Sequence, residues 1–153
     1  MKLQRGITSF FDWDERGLIP EIAFDDFKRA IFSAFNRDGW RVGSLLPRSG
    51  TPNFHTAEIV STNESTLVVC NGTYPIYAFA DTSGLDNCLL TFRDYPNLAE
   101  RLKAFPNLMV ASVSDLSRLI TDADIANLDK CEAEQIKYWK PKTIGEIVFN
   151  WFD

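Results

Sequence analysis

The segment Pro141-Lys-Thr-Ile-Gly-Glu-Ile-Val-Phe-Asn-Trp-Phe-Asp153 is the stretch that says most about the fold. Thr143 and Glu146 have the spacing of a capping box, in which each side chain satisfies a backbone N–H at the start of a helix. Apolar side chains then recur at helical intervals, at Ile144, Ile147, Val148 and Trp151. An end this apolar must dock against the domain, so the pattern predicts a helix that closes the core.

A strand is the alternative for the same segment. Many of its side chains are β-branched or aromatic, which favours a strand, and Gly145 weakens a helix. The capping spacing favours the helix. In either form the segment packs the core and holds no reactive group.

The length and composition predict one well-packed domain spanning residues 1–153. Of the 153 residues, 45% are hydrophobic and 13% are aromatic, which is enough to bury a substantial core. No apolar run approaches the roughly 18–20 residues that cross a bilayer, and the N-terminus lacks the apolar region of a secretory signal. We therefore expect a cytoplasmic protein that is not associated with a membrane.

The first half of the chain predicts one helix and an antiparallel meander. The helix is expected over residues 25–36, with Asp25 or Asp26 at its start and Gly39 just past its end. Three strands are expected at 57–61, 66–70 and 74–80. The segment 43–52 is rich in Gly, Ser and Pro, which is typical of a loop; a plain connector is favoured over a ligand or partner loop.

The second half predicts a strand at 88–92, a helix that begins at Pro96 and a strand at 108–112. That order and spacing are typical of a right-handed parallel crossover. Short helices are expected to begin near Ser114 and Thr121. The fold class is therefore α+β, with a mixed, mainly antiparallel sheet of about five strands and helices packed on it.

The residue types that usually perform catalysis are sparse. His55 is the only histidine, no nucleophile has a supporting spacing around it, and a surface or capping role is expected. Cys70, Cys88 and Cys131 are too widely spaced for a zinc site or a disulfide framework, and reduced thiols are expected. No glycine-rich phosphate loop is present. The sequence predicts no catalytic residue, no metal site and no cofactor.

The net charge of −5 is concentrated in two blocks. Residues 1–26 hold three basic and six acidic groups, and residues 114–134 hold two basic and six acidic groups. This sign excludes a nucleic-acid partner. Ordinary solvated helix starts and turns are the favoured interpretation of both blocks, and a negative patch that meets a basic protein partner is the alternative. The contact charges are predicted to be Asp12, Asp14, Asp122, Asp124, Asp129 and Glu132, with Trp13 or Trp139 as apolar anchors.

The last eighteen residues, Ile136 to Asp153, resemble the C-terminal tail of bacterial immunity proteins from toxin–immunity and contact-dependent growth inhibition systems. The resemblance implies a small, cytoplasmic, non-enzymatic protein that neutralises a cognate toxin by covering it. It implies a shared fold more than a shared activity, and it assigns no functional residue.

The leading hypothesis is therefore an immunity-type protein whose acidic surface binds a basic toxin, for example a nuclease. The alternative is a small carboxylate-based enzyme or ligand-binding domain, with the 43–52 loop as a lid. A deep pocket that holds two carboxylates would favour the alternative, and a flat acidic surface would favour the first hypothesis.

Overall fold

A mixed β-sheet forms the centre of the protein. The structure is a computed structural model that describes the backbone of residues 1–153 and the side chains at all positions except 13, 16, 84, 86 and 87. Strands β1 to β6 span Arg41–Leu46, Phe54–Val60, Ser65–Asn71, Ile76–Ala80, Phe92–Arg93 and Met109–Val110. Helices α1 to α6 span Phe24–Phe35, Pro96–Leu102, Val113–Ser117, Asp122–Ile125, Lys130–Trp139 and Ile144–Val148. Two 3-10 turns span Trp13–Leu18 and Thr82–Asn87.

The sheet is built on the predicted antiparallel meander. Strands β1, β2, β3 and β4 pair in that order, all antiparallel. Strand β5 pairs antiparallel with the C-terminal end of β4, and strand β6 pairs parallel with the N-terminal end of β4. The predicted α+β class, with a mainly antiparallel mixed sheet and packed helices, is confirmed.

The predicted parallel crossover between 88–92 and 108–112 is wrong. The strands found there are only two residues long, and both lie along the same edge of β4. The parallel neighbour of β6 is β4, whereas β5 runs antiparallel to β4. Cys88 adopts a positive φ of 52°, which an extended strand does not allow, and β5 begins at Phe92.

Alternation along the strands gives the sheet two apolar faces. In β3, Leu67 and Val69 lie in one core cluster, while Val68 and Cys70 lie in the other. The second cluster is completed by α1 and α2. The first is completed by the N-terminal segment together with α3, α5 and α6. The protein thus has three layers, with helices on both sides of the sheet.

The predicted loop at 43–52 begins later than expected. Residues 41–46 form the edge strand β1, whose pairing with β2 shifts register between Val42 and Leu45. Gly43 lies within that irregularity, and a Cβ there would lie 3.3 Å from the carbonyl oxygen of Glu58. A glycine at a bulge on an edge strand is a common arrangement, and it made the sequence resemble a loop.

The C-terminal helix prediction is confirmed over Ile144–Val148. The Thr143 hydroxyl accepts a hydrogen bond from the Glu146 N–H, as predicted, whereas the Glu146 carboxylate accepts from the Lys142 N–H. The helix ends at Phe149, which leaves the helical conformation, so Trp151 lies beyond it. The Trp151 ring instead packs edge-on against Phe54, with centroids 5.0 Å apart.

Three buried asparagines, Asn53, Asn71 and Asn150, tie the two ends of the chain to the sheet; we call them the asparagine cluster. The side-chain amides of Asn53 and Asn71 both donate to the carbonyl oxygens of Ile7 and Val148. The Asn150 amide donates to the carbonyl oxygen of Thr8. Because buried backbone carbonyls need donors, these contacts hold the N-terminal and C-terminal segments side by side.

Replacing Gly145 with alanine is expected to lower the free energy of unfolding by about 1–3 kcal/mol, as overpacking does. A Cβ there would lie 2.7 Å from the Phe92 ring and 3.0 Å from the carbonyl oxygen of Leu116. The better helix propensity of alanine offsets only about 1 kcal/mol of this cost. Urea unfolding measures the effect, with Gly17→Ala as the control because, apart from its chain neighbours, no described atom lies within 4 Å of a Cβ at that position. Equal loss in both variants would contradict the packing around Gly145.

Candidate functional site

Five of the six acidic residues of the second block lie at the starts of three short helices, α3, α4 and α5. At the start of α4, the Asp124 carboxylate accepts from the N–H and hydroxyl of Thr121. At the start of α5, Asp129 and Glu132 form a second capping box. Local helix capping therefore accounts for part of the charge pattern in residues 114–134, in line with the interpretation of that block as helix starts.

Glu132 is completely buried, so its prediction as a surface contact charge is wrong. Its carboxylate oxygens accept from the backbone N–H groups of Gly6, Thr8 and Asp129 and from the Thr8 hydroxyl, over 2.8–3.1 Å. The side chain fastens the N-terminal segment to α5. A buried carboxylate is retained only where hydrogen bonds replace its hydration, and here four donors do so.

Asp124 and Asp129 are compensated by arginines within the fold. Asp124 accepts two hydrogen bonds from Arg118, at 2.7 and 2.9 Å, and this contact holds the pKa of Asp124 well below its ordinary value. Asp129 pairs with Arg5 at 2.9 Å, and this contact lowers the pKa of the Asp129 carboxyl. Both carboxylates are ionised, but their side chains are mostly covered and each has a positive partner. They are weaker candidates for contact charges than their sequence positions indicated.

Asp12, Asp14 and Asp122 are exposed. Within the described part of the chain, none of the three takes part in an ion pair. Asp12 lies against the first turn of α5, where its carboxylate accepts from the Cys131 thiol at 3.0 Å. Asp14 is two residues away, on the turn Trp13–Leu18, and Asp122 lies on α4. The side chain of Trp13, a predicted anchor, lies outside the described residues.

The carboxylates of Asp12, Glu15 and Asp129 come within 4.8 Å of one another, a spacing that a cation could bridge. Arg5 forms ion pairs with both Glu15 and Asp129. Its guanidinium therefore supplies the positive charge that a metal ion would otherwise bring. The arrangement is best explained as an ion-pair cluster that holds residue 5 against α5.

Two aromatic side chains, Tyr138 and Trp139, lie exposed at the other end of α5. Tyr138 is 75% exposed and Trp139 is 42% exposed. The Trp139 ring stacks on Phe152, with centroids 6.0 Å apart and planes 4° apart, so it is held in place while one side stays open. Trp139 was predicted as an anchor, whereas Tyr138 was missed because an exposed tyrosine near a chain end is unremarkable in sequence.

We call the area formed by Asp12, Asp14, Tyr138 and Trp139 the α5 surface. Helix α5 has ten residues, so its ends are about 15 Å apart. Comparison with protein-family models, curated proteins and solved structures finds no match for this chain. The α5 surface is therefore interpreted from its own residues: carboxylates at one end and an ordered aromatic pair at the other.

A groove of about 760 Å³ lies beside Trp139, between the end of α5, α6 and the C-terminal residues. Its walls are largely apolar and include Leu89, Leu90, Phe149 and Trp151. Leu89 is 59% exposed at its margin. The groove extends the apolar end of the α5 surface.

Among the helices of the described chain, none is both long and apolar enough to cross a membrane.

His55 is buried, so the expected surface position is wrong. Its Nδ1 accepts from the Arg48 N–H at 2.9 Å, and its Nε2 lies 2.7 Å from the carbonyl oxygen of Ile22. These contacts require a neutral ring with the proton on Nε2. The ring also packs between Phe24 and Phe27, with centroids 5.5 and 5.4 Å away. Both nitrogens are engaged, and the role of His55 is structural.

Burial lowers the pKa of His55 below its ordinary value of 6.5. Above that pH, His55 is mainly neutral in both states; below it, the unfolded state takes up a proton more readily than the folded state. We expect the free energy of unfolding to fall by about 1 kcal/mol between about pH 7 and about pH 5.5. The lowered pKa values of Asp124 and Asp129 act only at more acidic pH. Urea titrations of the wild type and His55→Gln test this, and an unchanged slope in the variant would contradict it.

The three cysteines occupy unlike environments. Cys70 is buried in the sheet, and burial raises the pKa of its thiol. The hydrogen bond to Asp12 raises the pKa of Cys131 to about 11, which keeps that thiol protonated. Cys88 is exposed near the groove. Neither Cys70 nor Cys131 has the lowered pKa of a nucleophilic cysteine.

Proposed function

We propose that the protein is a non-enzymatic, immunity-type binding protein that covers a basic protein toxin with its α5 surface. One observation supports this most directly: an exposed carboxylate, Asp12, contacts the first turn of α5, and an exposed, ordered aromatic pair lies in its last turn. Carboxylates attract a basic partner over a distance, and aromatic side chains supply most of the contact energy once it docks. The combination suits a protein interface better than a reaction site.

The apolar groove beside Trp139 adds contact surface at the aromatic end of α5. The resemblance of residues 136–153 to immunity-protein tails suggests the class of partner. We place the protein in the cytoplasm, where three unpaired thiols would stay reduced.

The alternative, a carboxylate-based enzyme, has less support. Asp124 and Asp129 are paired with arginines, and the Glu132 carboxylate is used by four donors. A general acid or base needs a carboxyl group that is open to substrate and tuned by its surroundings. These three groups are instead occupied in holding helix starts and the N-terminal segment.

Reversing two charges, with Asp12→Lys and Asp14→Lys together, is expected to slow association with the toxin about tenfold or more at low salt. The toxin to test is the product of the gene adjacent to this one. The salt dependence of the association rate should flatten in the variant. Stopped-flow or surface-based kinetics measure both quantities. The matched control reverses Asp25 and Glu64, which are exposed on α1 and on the loop 61–64, away from α5.

Trp139→Ala tests the apolar end of the same surface. The dissociation rate should rise about tenfold or more, while the association rate changes little. Growth rescue in cells that express the toxin gives an independent reading. Absence of a complex, together with absence of rescue by the wild type, would reject the proposed function. Equal effects of the α5 and control substitutions would instead reject the α5 surface as the interface.

A further inference from the structure

A second concavity, of about 250 Å³, lies on the same side of the sheet between residues 8–10, the loop 48–53 and the C-terminal residues. Hydroxyl and amide groups line much of it, and Arg48 is the one charged side chain among its described lining residues. The chain as a whole has a net charge of −5. A pocket with a single arginine is therefore a local positive site in an acidic protein.

Arg48 is held in position at both its backbone and its side chain. Its N–H donates to Nδ1 of His55, and its Nη1 donates to the Ser9 hydroxyl at 3.0 Å. The side chain crosses Gly72, where a Cβ would lie 2.7 Å from Nη1. The absence of a side chain at residue 72 thus makes room for the guanidinium. An arginine fixed before binding loses less conformational entropy when it meets a ligand.

The guanidinium has donors to spare. Arginine carries five side-chain N–H donors, and in the described structure Ser9 is the acceptor within hydrogen-bond distance. The carboxylate of Glu21 is 3.6 Å from Nη2 and belongs to a side chain that is 71% exposed, so this pair is weak. A planar guanidinium with free donors matches the two oxygens of a carboxylate or phosphate.

The apolar lining residues of the pocket indicate what kind of group would carry the carboxylate or phosphate. The rings of Phe10 and Phe152 both line the pocket, with centroids 6.4 Å apart. We propose that this pocket binds a small ligand in which an oxyanion, carboxylate or phosphate, is carried on an aromatic or apolar group. Arg48 binds the oxyanion, and the two phenylalanines contact the apolar part. The pocket adjoins the α5 surface, because Phe152 also stacks on Trp139, but the proposal does not depend on the proposed function.

Calorimetric titration of the full chain with phenyl phosphate, benzoate, inorganic phosphate and phenol tests the proposal. We expect phenyl phosphate or benzoate to bind best, which identifies the preferred oxyanion, with inorganic phosphate weaker and phenol not bound. Arg48→Gln should weaken the tighter ligand about tenfold or more, and Arg48→Lys should restore part of the loss. Arg29→Gln is the control, because Arg29 is 75% exposed on α1 in the opposite helical layer.

The chemical shifts of the backbone amides of the wild type locate the ligand site without any variant. Titration of the tighter ligand should shift the amides of Ser9, Arg48 and Gly50 most. Shifts centred elsewhere, an unchanged affinity in a folded Arg48→Gln protein, or phenol binding as tightly as phenyl phosphate would each overturn the proposal. No binding of either aromatic oxyanion at millimolar concentration would overturn it as well.

Discussion

Glu132→Ala is expected to lower the free energy of unfolding by about 3–5 kcal/mol, the cost of removing one member of a buried polar network. The substitution leaves the N–H groups of Gly6, Thr8 and Asp129 and the Thr8 hydroxyl without their acceptor. It also opens a cavity, because the Glu132 side chain is fully buried. Urea unfolding at neutral pH measures the loss.

Two further substitutions sharpen this test. Glu134→Ala, on the exposed side of α5, should change the free energy of unfolding by no more than about 0.5 kcal/mol. Glu132→Gln keeps the shape but retains only one acceptor oxygen, so an intermediate loss is expected. If Glu132→Ala cost no more than Glu134→Ala, the described attachment of the N-terminal segment to α5 would be wrong.

Asn71→Ala is expected to cost about 3–4 kcal/mol, since several buried backbone groups lose a partner at once. The Asn71 amide nitrogen donates to the carbonyl oxygens of Ile7 and Val148, at 2.9 and 2.7 Å. Its side-chain oxygen accepts from the N–H groups of Thr73 and Tyr74, both at 2.9 Å. One side chain therefore holds the turn after β3 and joins both ends of the chain to it.

Hydrogen exchange gives a local reading of the same substitution. In Asn71→Ala, the amides of Thr73 and Tyr74 should exchange faster relative to the helical amides of α1, because they lose their acceptor. Asn127→Ala serves as the control, since Asn127 lies in an exposed turn. Unaltered protection at residues 73 and 74 would contradict the role assigned to Asn71.

Local sequence signals predicted much of the fold. The apolar spacing predicted α1 to within one residue at each end, and alternation predicted the three-strand meander. Capping patterns predicted the starts of α3, α4 and α6, whereas α5 was not predicted. Each of these signals depends on residues within one or two turns of one another, so one chain segment is enough to show it.

Long-range contacts account for what the sequence could not predict. In the sequence, Glu132 has the position of a solvated acid in the first turn of a helix. Its other partners, Gly6 and Thr8, lie 126 and 124 positions away, so its burial could not be predicted. Arg5 neutralises Asp129 across 124 positions. Burial of His55 likewise depends on the carbonyl oxygen of Ile22 and on two phenylalanines of α1. Charge counting therefore located the acidic blocks but not which acids stay available to a partner.

The contacts of the asparagine cluster have a consequence for biosynthesis. The hydrogen bond between Asn150 and Thr8 spans 142 positions, and Asn53 exchanges backbone contacts with residue 150 as well. A nascent chain cannot form these bonds until residue 150 has left the ribosomal tunnel. Until then, the β-meander, which is synthesised earlier, has one apolar face uncovered. During translation, that waiting interval is when the polypeptide is most vulnerable to aggregation and most dependent on chaperones.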